Sequence, residues 1–462
     1  MGRHLPGRIS VAVLSMVAAC SLAPAATVEL DQTTRYQTID GFGAHMRISP
    51  WQVRSGPFYI PIDLAASSIY DSVVNELGAT LLRTFIPPVF QPSQGVFVPE
   101  ELSERIANMR RLLAAAERHA EPIHFFASCF SPPGWMKDGG VADCGVEAAP
   151  RLSETTCKLS VGMEQALATH FETGLRTFLD STGYELFGLS IQNEPAFSEP
   201  YESCVYDGPR YRDVLKVVAG QFRDHGLQTR FIGSEHMAWA FPYTFENHIR
   251  LDEVALGYMY AWAVHGYSDG VETDTGAYAG TTPTDKPLWM TETQGAAYGT
   301  SFMDWGGAMT LGGNILRQLR DGRITAWVWG ALQDVCGAEG CEAASGEGML
   351  LVNGTPSAKY YASRHFYRFV RPGARQIAHT CDDNLIDAVA FYHEANDCWT
   401  VVFRNATAST KTVNLTGAGI PTEWTLETST DAAKRVTSTV AATGIELPPM
   451  SLATLVAGQY MH

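Results

Sequence analysis

Two glutamates stand directly after short apolar segments, where their carboxyl groups could work as a pair. Glu194 follows the segment 189–193, and Glu292 follows the segment 288–291. Hydrolysis of a glycosidic bond needs two facing carboxyl groups: a protonated one that gives its proton to the leaving oxygen, and an ionised one that attacks the anomeric carbon. Two glutamates at the tips of two buried strands fit that requirement.

Arginine, histidine and aromatic residues stand at similar positions elsewhere in the chain. Arg83 follows an apolar pair, and a buried arginine at a strand end pairs with a carboxylate. His265 and Tyr267 end another apolar run. Trp135 lies in a segment rich in proline, and Trp327 lies in the last apolar run. Because sugars present apolar C–H faces edged by hydroxyl groups, clefts that bind them combine aromatic rings with polar groups.

Short β-branched runs alternate with helical patterns, which predicts the elements that position these residues. Apolar side chains repeat on one face of 100–120 and of 209–225, so both segments are predicted to be helices. Eight strand–helix units form an α/β fold of the (β/α)8 TIM barrel type, whose catalytic groups lie at the C-terminal ends of the strands. The predicted strands are 39–44, 80–85, 123–129, 186–193, 229–234, 255–265, 287–292 and 324–331.

The pattern changes after Pro372, and this change predicts a second domain. Short alternating strands separated by turn residues predict a β-sandwich, and the N-terminal segment 27–37 has the pattern of a strand that would join it. We therefore expect a signal peptide at 1–26, the N-terminal sandwich strand at 27–37, a catalytic barrel at 38–371 and the sandwich domain at 372–462.

The N-terminus has the order of a secretory signal peptide. Arg3 and Arg8 precede an apolar run that is too short to span a bilayer, and small residues follow it. We expect a secreted protein without a transmembrane segment. The residues before Cys20 also resemble a bacterial lipoprotein signal, so a lipid anchor on Cys20 is the alternative.

Export makes disulfides the expected state of the cysteines. The chain has nine cysteines, and Cys20 lies in the signal. An even set in an oxidising compartment favours disulfides, and no spacing here is typical of a zinc site, so we expect no metal. The expected local pairs are Cys144–Cys157, Cys336–Cys341 and Cys381–Cys398, with Cys129 and Cys204 either paired or free.

The negative net charge of the chain argues against two classes of binding partner. The formal net charge is −16, and no basic stretch interrupts this acidity. That argues against nucleic acid and against anionic lipid surfaces as partners. It suits a neutral substrate such as a carbohydrate polymer or oligosaccharide, and we expect a monomer that needs no cofactor.

These motifs resemble glycoside hydrolase family 30, whose members include glucosylceramidases, xylanases and β-1,6-glucanases. The resemblance runs from about Tyr36 into the predicted sandwich. The segments that carry it are 37–44 (QTIDGFGA), 131–137 (SPPGWMK), 191–195 (IQNEP), 264–267 (VHGY) and 366–373 (FYRFVRPG).

The resemblance implies a retaining β-glycosidase with Glu194 as general acid/base and Glu292 as nucleophile. It implies that Asn193 binds the substrate 2-hydroxyl and that Tyr267 orients Glu292. The negative charge of Glu292 would favour the protonated form of Glu194. The remaining residues expected to bind substrate are Arg83, Trp135, His265 and Trp327.

Two departures from the family pattern bear on the substrate. The glucuronoxylan-specific branch has an arginine-bearing loop after a Trp-x-Trp pair, whereas 330–336 contains no arginine here. The segment 139–159 looks like an insertion beside the site. We expect hydrolysis of a wall polysaccharide, with xylan favoured (an endo-β-1,4-xylanase type without strict dependence on glucuronic acid). Alternatives within the family are an endo-β-1,6-glucanase or galactanase and a glucosylceramidase-type exo-β-glycosidase.

Two hypotheses outside this class remain. A metal-dependent hydrolase barrel would use His45, His236 and His265 as ligands, but the His-x-His pair of such barrels is missing around His45. A non-catalytic carbohydrate-binding or structural wall protein is reasonable for 373–462 alone. It is a poor account of the whole chain, because both candidate carboxylates are present.

Overall fold

The computed structural model describes residues 24–46, 67–144, 156–199, 201–237, 243–267, 285–294, 301–330, 332, 348–350 and 354–458. The predicted signal peptide, with Cys20, lies outside these residues. Within them, none of the helices combines the length and the apolar character needed to cross a bilayer.

The first unit is a closed barrel of eight parallel strands, as the sequence predicts. Its first strand pairs with both the second and the eighth, which closes the sheet. The strands are buried almost throughout, because helices cover the outside and side chains fill the inside. They are β2 (Gly41–His45), β3 (Leu81–Phe85), β4 (His124–Ser128), β5 (Gly188–Ser190), β6 (Arg230–His236), β7 (Met259–His265), β8 (Leu288–Thr293) and β9 (Ala326–Trp329).

Eight α-helices accompany the barrel strands in the described part of the chain. The two predicted helices are present, although the first begins as the 3-10 turn Pro99–Leu102. Shorter elements are the π-helix Ser72–Leu77 and the 3-10 turns Pro88–Phe90, Gly134–Met136 and Glu394–Asn396. The helices are α1 (Ser67–Asp71), α2 (Ser103–His119), α3 (Glu164–Thr182), α4 (Gly208–Asp224), α5 (Tyr243–Arg250), α6 (Glu253–Tyr258), α7 (Trp305–Arg320) and α8 (Ala358–Tyr367).

The expected strand 255–265 is wrong at its start. The Asp252 side chain accepts hydrogen bonds from the backbone N–H groups of Val254 and Ala255, which caps helix α6. An N-cap aspartate satisfies donors that would otherwise be free, so these residues form a helical turn. The strand β7 begins only at Met259.

The inside of the barrel is apolar at its N-terminal end. Leu81, Phe126 and Trp289 belong to a buried cluster inside the barrel, and Asp40 accepts a hydrogen bond of 2.8 Å from the Trp289 indole. Side chains two residues further along a strand point in the same direction. Polar side chains at those later positions, such as Arg83, therefore collect at the C-terminal end.

The second unit is a nine-stranded sheet that includes the N-terminal strand, as predicted. The strand β1 (Ala26–Thr38) pairs antiparallel with one neighbour and parallel with the other. One face of the sheet closes on a core that contains Val28, Trp399 and Leu455 from separate strands, which makes it a β-sandwich. The other strands are β10 (Arg375–Cys381), β11 (Ile386–His393), β12 (Cys398–Asn405), β13 (Lys411–Thr416), β14 (Glu423–Ser429), β15 (Val436–Ala441), β16 (Ile445–Leu447) and β17 (Ser451–Ala457).

The opposite face of this sheet packs against the barrel. Phe391 and Val402 lie in the same buried cluster as the barrel side chains. Arg364 of α8 forms a buried ion pair with Glu427 of β14, with both guanidinium–carboxylate distances close to 3 Å. The two units are therefore joined by apolar packing and a bidentate ion pair.

The cysteines agree with the expected pairing only in part. Cys144 and Cys157 form the expected disulfide, whereas the expected pair Cys381–Cys398 is wrong because both thiols are free. Cys381 ends β10 and Cys398 starts β12, and β11 lies between these strands. Strands two apart in a sheet are about 9–10 Å apart, beyond the reach of a disulfide.

Of the four other cysteines in the expected set, two lie among the residues that the structure describes. Cys129 and Cys204 are free and buried, which is one of the two expected states. The pair Cys336–Cys341 lies outside the described residues.

Candidate active site

Arg83 lies at the centre of the polar cluster at the C-terminal end of the barrel. Its side chain is fully buried on β3. The guanidinium donates hydrogen bonds to Glu292 Oε2 (2.5 Å), Asn193 Oδ1 (2.6 Å), Glu235 Oε2 (2.9 Å) and Ser128 Oγ (2.8 Å). A planar, permanently charged fork can serve several acceptors at once, so one side chain fixes groups from four other strands or their ends.

Glu292 reaches this cluster because β8 contains a bulge. Val264 pairs with Met290, but the next residue, His265, pairs with Glu292, so Thr291 is an extra residue in β8. Met290 packs in the layer between strands and helices. Without the bulge, Glu292 would share that side; the extra residue turns its carboxyl group into the barrel mouth.

The surroundings of Glu292 favour its ionised form. Tyr267 donates a hydrogen bond to Oε1 (2.9 Å), and Arg83 donates one to Oε2. Burial opposes ionisation, but the charges of His265 and Arg83 outweigh it and hold the pKa of Glu292 well below its usual range. His45 is 3.7 Å from Oε2 but is itself neutral, because burial and then Arg83 lower its pKa to about 3.

Glu194 faces the cluster from the end of β5. Its backbone has φ 46°, a left-handed conformation that costs a non-glycine residue about 1 kcal/mol or more. Its backbone N–H donates to the carbonyl of Glu235 at 3.0 Å, which helps to hold this conformation. The side chain is 5% exposed, and Oε1 is 2.8 Å from Nδ1 of His265.

His265 connects Glu194 to the rest of the cluster. Burial would lower the pKa of His265, but the charge of Glu292 and the hydrogen bond to Glu194 raise it to about 9. His265 is therefore protonated at neutral pH, and it donates its Nδ1 proton to Glu194. Its Nε2 is 3.9 Å from Glu235.

The carboxyl groups of Glu194 and Glu292 approach each other across the mouth of the barrel. One oxygen of each and one ring nitrogen of His265 all lie within 4.8 Å of one another. Retaining glycosidases have the two carboxyl groups about 5–5.5 Å apart, whereas inverting enzymes leave about 6.5–9.5 Å for a water molecule. The separation matches the retaining arrangement.

The three converging groups are poorly suited to a metal ion. Arg83 already donates a hydrogen bond to Glu292 Oε2, and a protonated His265 offers no lone pair at Nδ1. Two buried cationic groups would also repel a metal cation. Of the ligands in the metal-hydrolase hypothesis, His45 and His265 contact carboxylates. The ring of His236 packs near that of Phe245, with 5.9 Å between the ring centroids.

The predicted tryptophans take different positions. Trp135 is half-buried and donates its indole N–H to the carbonyl of Gln91 at 2.9 Å. Trp327 is 1% exposed on β9, and among the described residues its indole Nε1 has no hydrogen-bond partner. The part of both rings in substrate binding stays a prediction.

Two acidic residues of the site were missed from the sequence. Glu235 lies in β6 beyond the predicted strand end, at φ 57°, and it is an extra residue at a bulge. Burial opposes its ionisation, but Arg83 lowers the pKa of Glu235 to about 2. Glu199 lies in the loop after Glu194 and is 6% exposed. The pattern Gly233-Ser234-Glu235-His236, polar residues at the end of an apolar strand, was the available signal for Glu235.

Sequence comparison finds named glycoside hydrolases among the proteins similar to this chain. No protein-family model matches the chain. It is 24% identical to the glucuronoxylanase XynC of Bacillus subtilis (strain 168) over 383 residues, covering 82% of this chain and 78% of that protein. It is 27% identical to the endo-1,6-beta-D-glucanase neg1 of Aspergillus fumigatus over 288 residues, which is 59% of this chain and 56% of that protein.

Solved structures show the same fold. The catalytic domain of a GH30 xylanase C from Talaromyces cellulolyticus superposes with a TM-score of 0.72 at 19% identity, over 93% of this chain and 99% of that one. An endo-beta1,6-glucanase superposes with a TM-score of 0.66 at 20% identity, over 94% of both chains. The chain therefore resembles glycoside hydrolase family 30. The barrel with its β-sandwich is the fold that these two structures share with it.

Proposed function

We propose that this glycoside hydrolase is a secreted retaining enzyme that cleaves β-glycosidic bonds of xylan, with Glu194 as general acid/base and Glu292 as nucleophile. The observation that carries this proposal is the close approach of two carboxyl groups whose surroundings differ. Arg83 and Tyr267 donate to Glu292, whereas Glu194 contacts the ring of His265. Different environments for two facing carboxyl groups allow one to attack and the other to give a proton.

In the first step Glu292 attacks the anomeric carbon. The C–O bond to the leaving group breaks, a bond forms between the anomeric carbon and a Glu292 oxygen, and Glu194 gives its proton to the leaving oxygen. As Glu292 loses its charge, Glu194 becomes negative beside the protonated ring of His265. The positive groups of the site therefore stabilise the charge in both places it occupies.

In the second step a water molecule attacks the glycosyl ester. Glu194 takes a proton from that water, the new C–O bond forms on the face that the leaving group left, and Glu292 is released as a carboxylate. Two displacements at one carbon give net retention of the β-configuration.

Asn193 has the orientation needed to bind the sugar 2-hydroxyl. Its Oδ1 accepts a hydrogen bond from Arg83 at 2.6 Å. That contact assigns the other end of the amide as the N–H₂ group, which is left to donate to a substrate oxygen. Such a bond strengthens as charge develops on the sugar ring in the transition state, so it contributes to catalysis as well as to binding.

Xylan is the substrate that the comparisons favour. The glucuronoxylanase aligns over more of this chain than the β-1,6-glucanase does, 82% against 59%. The xylanase structure also superposes with the higher TM-score, 0.72 against 0.66. The sequence 330–336 has no arginine to bind a glucuronic acid branch, so we propose a xylanase without strict dependence on that branch.

A β-1,6-glucan is the second candidate substrate. It is favoured by the 27% identity to the endo-1,6-beta-D-glucanase neg1, which exceeds the 24% identity to the glucuronoxylanase. The cluster of Arg83, Asn193 and the two glutamates acts on the sugar ring that is attacked. It is therefore compatible with hydrolysis of a β-1,4 or a β-1,6 linkage. The loops around the cleft decide between them.

We further propose export through a signal peptide at 1–26, and a division of the chain into a barrel at 38–371 and a sandwich at 372–462 that includes 27–37. The order of charged, apolar and small residues before residue 27 supports export. Mass spectrometry of the mature N-terminus tests this. Cleavage after Ala25 or Ala26 is expected, and an acylated Cys20 would instead indicate a lipoprotein.

Sugar release by the purified protein tests the proposed function. The panel contains glucuronoxylan, arabinoxylan, β-1,6-glucan, β-1,6-galactan and aryl β-glycosides. We expect release from both xylans, complete loss in Glu292→Gln, and unchanged release in the control Glu253→Gln, which alters an exposed carboxylate on α6. Release from β-1,6-glucan alone would replace the substrate, and equal release by wild type and Glu292→Gln would remove Glu292 from the mechanism.

A further inference from the structure

Glu235 contacts both sides of the candidate active site. Its carboxylate accepts a hydrogen bond of 2.9 Å from Arg83, whose guanidinium also donates to Glu292 and Asn193. Its backbone carbonyl accepts a hydrogen bond of 3.0 Å from the backbone N–H of Glu194. One residue therefore supports the candidate acid/base through its main chain and the candidate nucleophile through its side chain.

The backbone of β6 makes this double contact possible. Ser234 and His236 pair with consecutive residues of β7, so Glu235 is an extra residue in the strand. Its φ of 57° lies in the left-handed region, which a non-glycine residue occupies only where the surrounding structure holds it there. The side chain is 0% exposed. Strained backbone of this kind is concentrated at functional sites, and here it delivers a buried carboxylate to Arg83.

Arg83 is shared between two carboxylates in the described part of the chain. Its Nη1 contacts Glu292 and its Nη2 contacts Glu235. Burial opposes the ionisation of Glu235, but the charge of Arg83 lowers the pKa of Glu235 to about 2, so this carboxylate is charged at neutral pH. The ring of His265 is further away, with Nε2 3.9 Å from the other oxygen of Glu235. Because a buried cation without a counter-ion is costly, both contacts matter for Arg83.

The two carboxylates behave differently during the proposed reaction. In the first step an oxygen of Glu292 bonds to the anomeric carbon, the bond from that carbon to the leaving oxygen breaks, and the proton of Glu194 passes to the leaving oxygen. The resulting glycosyl ester of Glu292 has no charge. Glu235 is then the carboxylate that remains bonded to Arg83. In the second step Glu292 is released and Arg83 is shared again.

We propose that Glu235 is a positioning residue that serves as the fixed counter-ion of Arg83, which allows Glu292 to lose its charge without leaving a buried guanidinium unpaired. This inference rests on the proposed function. The counter-ion assists the first step, because it lowers the cost of converting the Glu292 carboxylate to an ester. It slows the second step, because it weakens the attraction of Arg83 for the departing carboxylate.

The rates of the two steps in Glu235→Gln test this proposal. Glutamine keeps an oxygen that accepts from Arg83 but has no charge, so the attraction of Arg83 falls on Glu292 alone. We expect kcat/KM for an aryl β-xyloside, which reports the first step, to fall by about tenfold or more. Release of a trapped 2-deoxy-2-fluoro-xylosyl group, which reports the second step, should be at least as fast as in wild type and up to about tenfold faster. Both rates are measured near pH 6, well below the pKa of His265 of about 9.

Glu246→Gln is the matched control. Glu246 is also buried and contacts the same strand, where its carboxyl group accepts from Ser234 Oγ at 3.0 Å. Burial raises the pKa of Glu246 to about 8, so at pH 6 this group is protonated and its replacement removes no charge. We expect both rates to stay within about twofold of wild type. A slowing of both steps in Glu235→Gln, an unchanged first step, or an equal effect in Glu246→Gln would each overturn the proposal.

Denaturant unfolding separates this proposal from the proposed function, because it needs no activity. In the wild-type background Glu235→Gln should lower the unfolding midpoint, since Arg83 loses a counter-ion. In the Arg83→Met background the same change should raise the midpoint, since it removes a buried carboxylate that has lost its cation. A wild type that hydrolyses no glycoside, with these opposite shifts, would refute the function and leave the Arg83–Glu235 pairing intact.

The opposite pair of results would refute the role of Glu235 alone. That outcome is a wild type that hydrolyses glycosides while Glu235→Gln shifts the midpoint in the same direction in both backgrounds. If Glu235→Gln does not fold, the double variant with Arg83→Met decides. Recovery of folding in the double variant supports the pairing, and failure to fold contradicts it.

Discussion

Replacement of Arg83 by lysine tests whether this residue holds the two sides of the site together. The guanidinium contacts Glu292, Asn193 and Glu235 within 2.9 Å and is fully buried. A lysine keeps the charge but has its three donors on one nitrogen, so it cannot reach all three acceptors. At least one of them loses its partner in Arg83→Lys.

The size of the effect follows from the bonds that are lost. A hydrogen bond to a charged group contributes about 1.5–3 kcal/mol. If one such bond to Glu292 or Asn193 is missing in the transition state, kcat/KM falls by about 10- to 150-fold. The same loss lowers the free energy of unfolding by about 2–3 kcal/mol. Steady-state kinetics on an aryl β-glycoside and denaturant unfolding measure the two quantities.

Arg364→Lys is the matched control. Arg364 is also buried and forms a bidentate ion pair with Glu427, but it lies between α8 and β14, away from the site. We expect a similar loss of stability with kcat/KM within about twofold of wild type. The reasoning is refuted if Arg83→Lys keeps kcat/KM within threefold, or if Arg364→Lys loses as much activity as Arg83→Lys.

Three other perturbations have outcomes set by the structure. In Glu235→Gln the loss of a nearby negative charge should lower the pKa of His265 from about 9, measured by NMR of the imidazole ring; an unchanged value would contradict the assigned contact. The raised pKa of His265 adds up to about 3 kcal/mol to the free energy of unfolding, and this contribution is fully present below pH about 6.5. It is lost as the pH rises through about 9. The free energy of unfolding of His265→Gln should lack this pH dependence. Cys144→Ser removes the Cys144–Cys157 disulfide, which joins residues 13 apart, and should lower the free energy of unfolding by up to about 3 kcal/mol. Equal stability of the wild type with and without reductant would contradict this.

The strand pattern predicted the barrel, and the barrel predicted where catalytic groups lie. Glu194 and Glu292 were predicted to be catalytic because each follows an apolar run, and the rule that barrel chemistry lies at strand ends applies to any such run. Asn193 and His265 were predicted to line the site in the same way. Local sequence was sufficient to place these residues together, because their position depends on the strand to which they are attached.

Residues placed by irregular backbone were not predictable in this way. Glu235 enters the site through a bulge in β6, and a bulge reverses the side on which later residues point without leaving a pattern in the sequence. Glu199 depends on a loop that is held by a separate disulfide-closed segment. The wrong pair Cys381–Cys398 has the same origin, since sequence proximity does not show that β11 lies between the two strands.

Trapping of the covalent intermediate is the most direct test of the central claim. A 2-deoxy-2-fluoro β-xyloside with a good leaving group slows hydrolysis of the glycosyl ester, because fluorine destabilises the positive charge that develops on the ring. Mass spectrometry of the intact protein and its peptides then locates the sugar. We predict one added sugar on Glu292 in wild type and none in Glu292→Gln. A sugar bound to another residue, or an active enzyme that forms no adduct and inverts the anomeric configuration, would contradict the account.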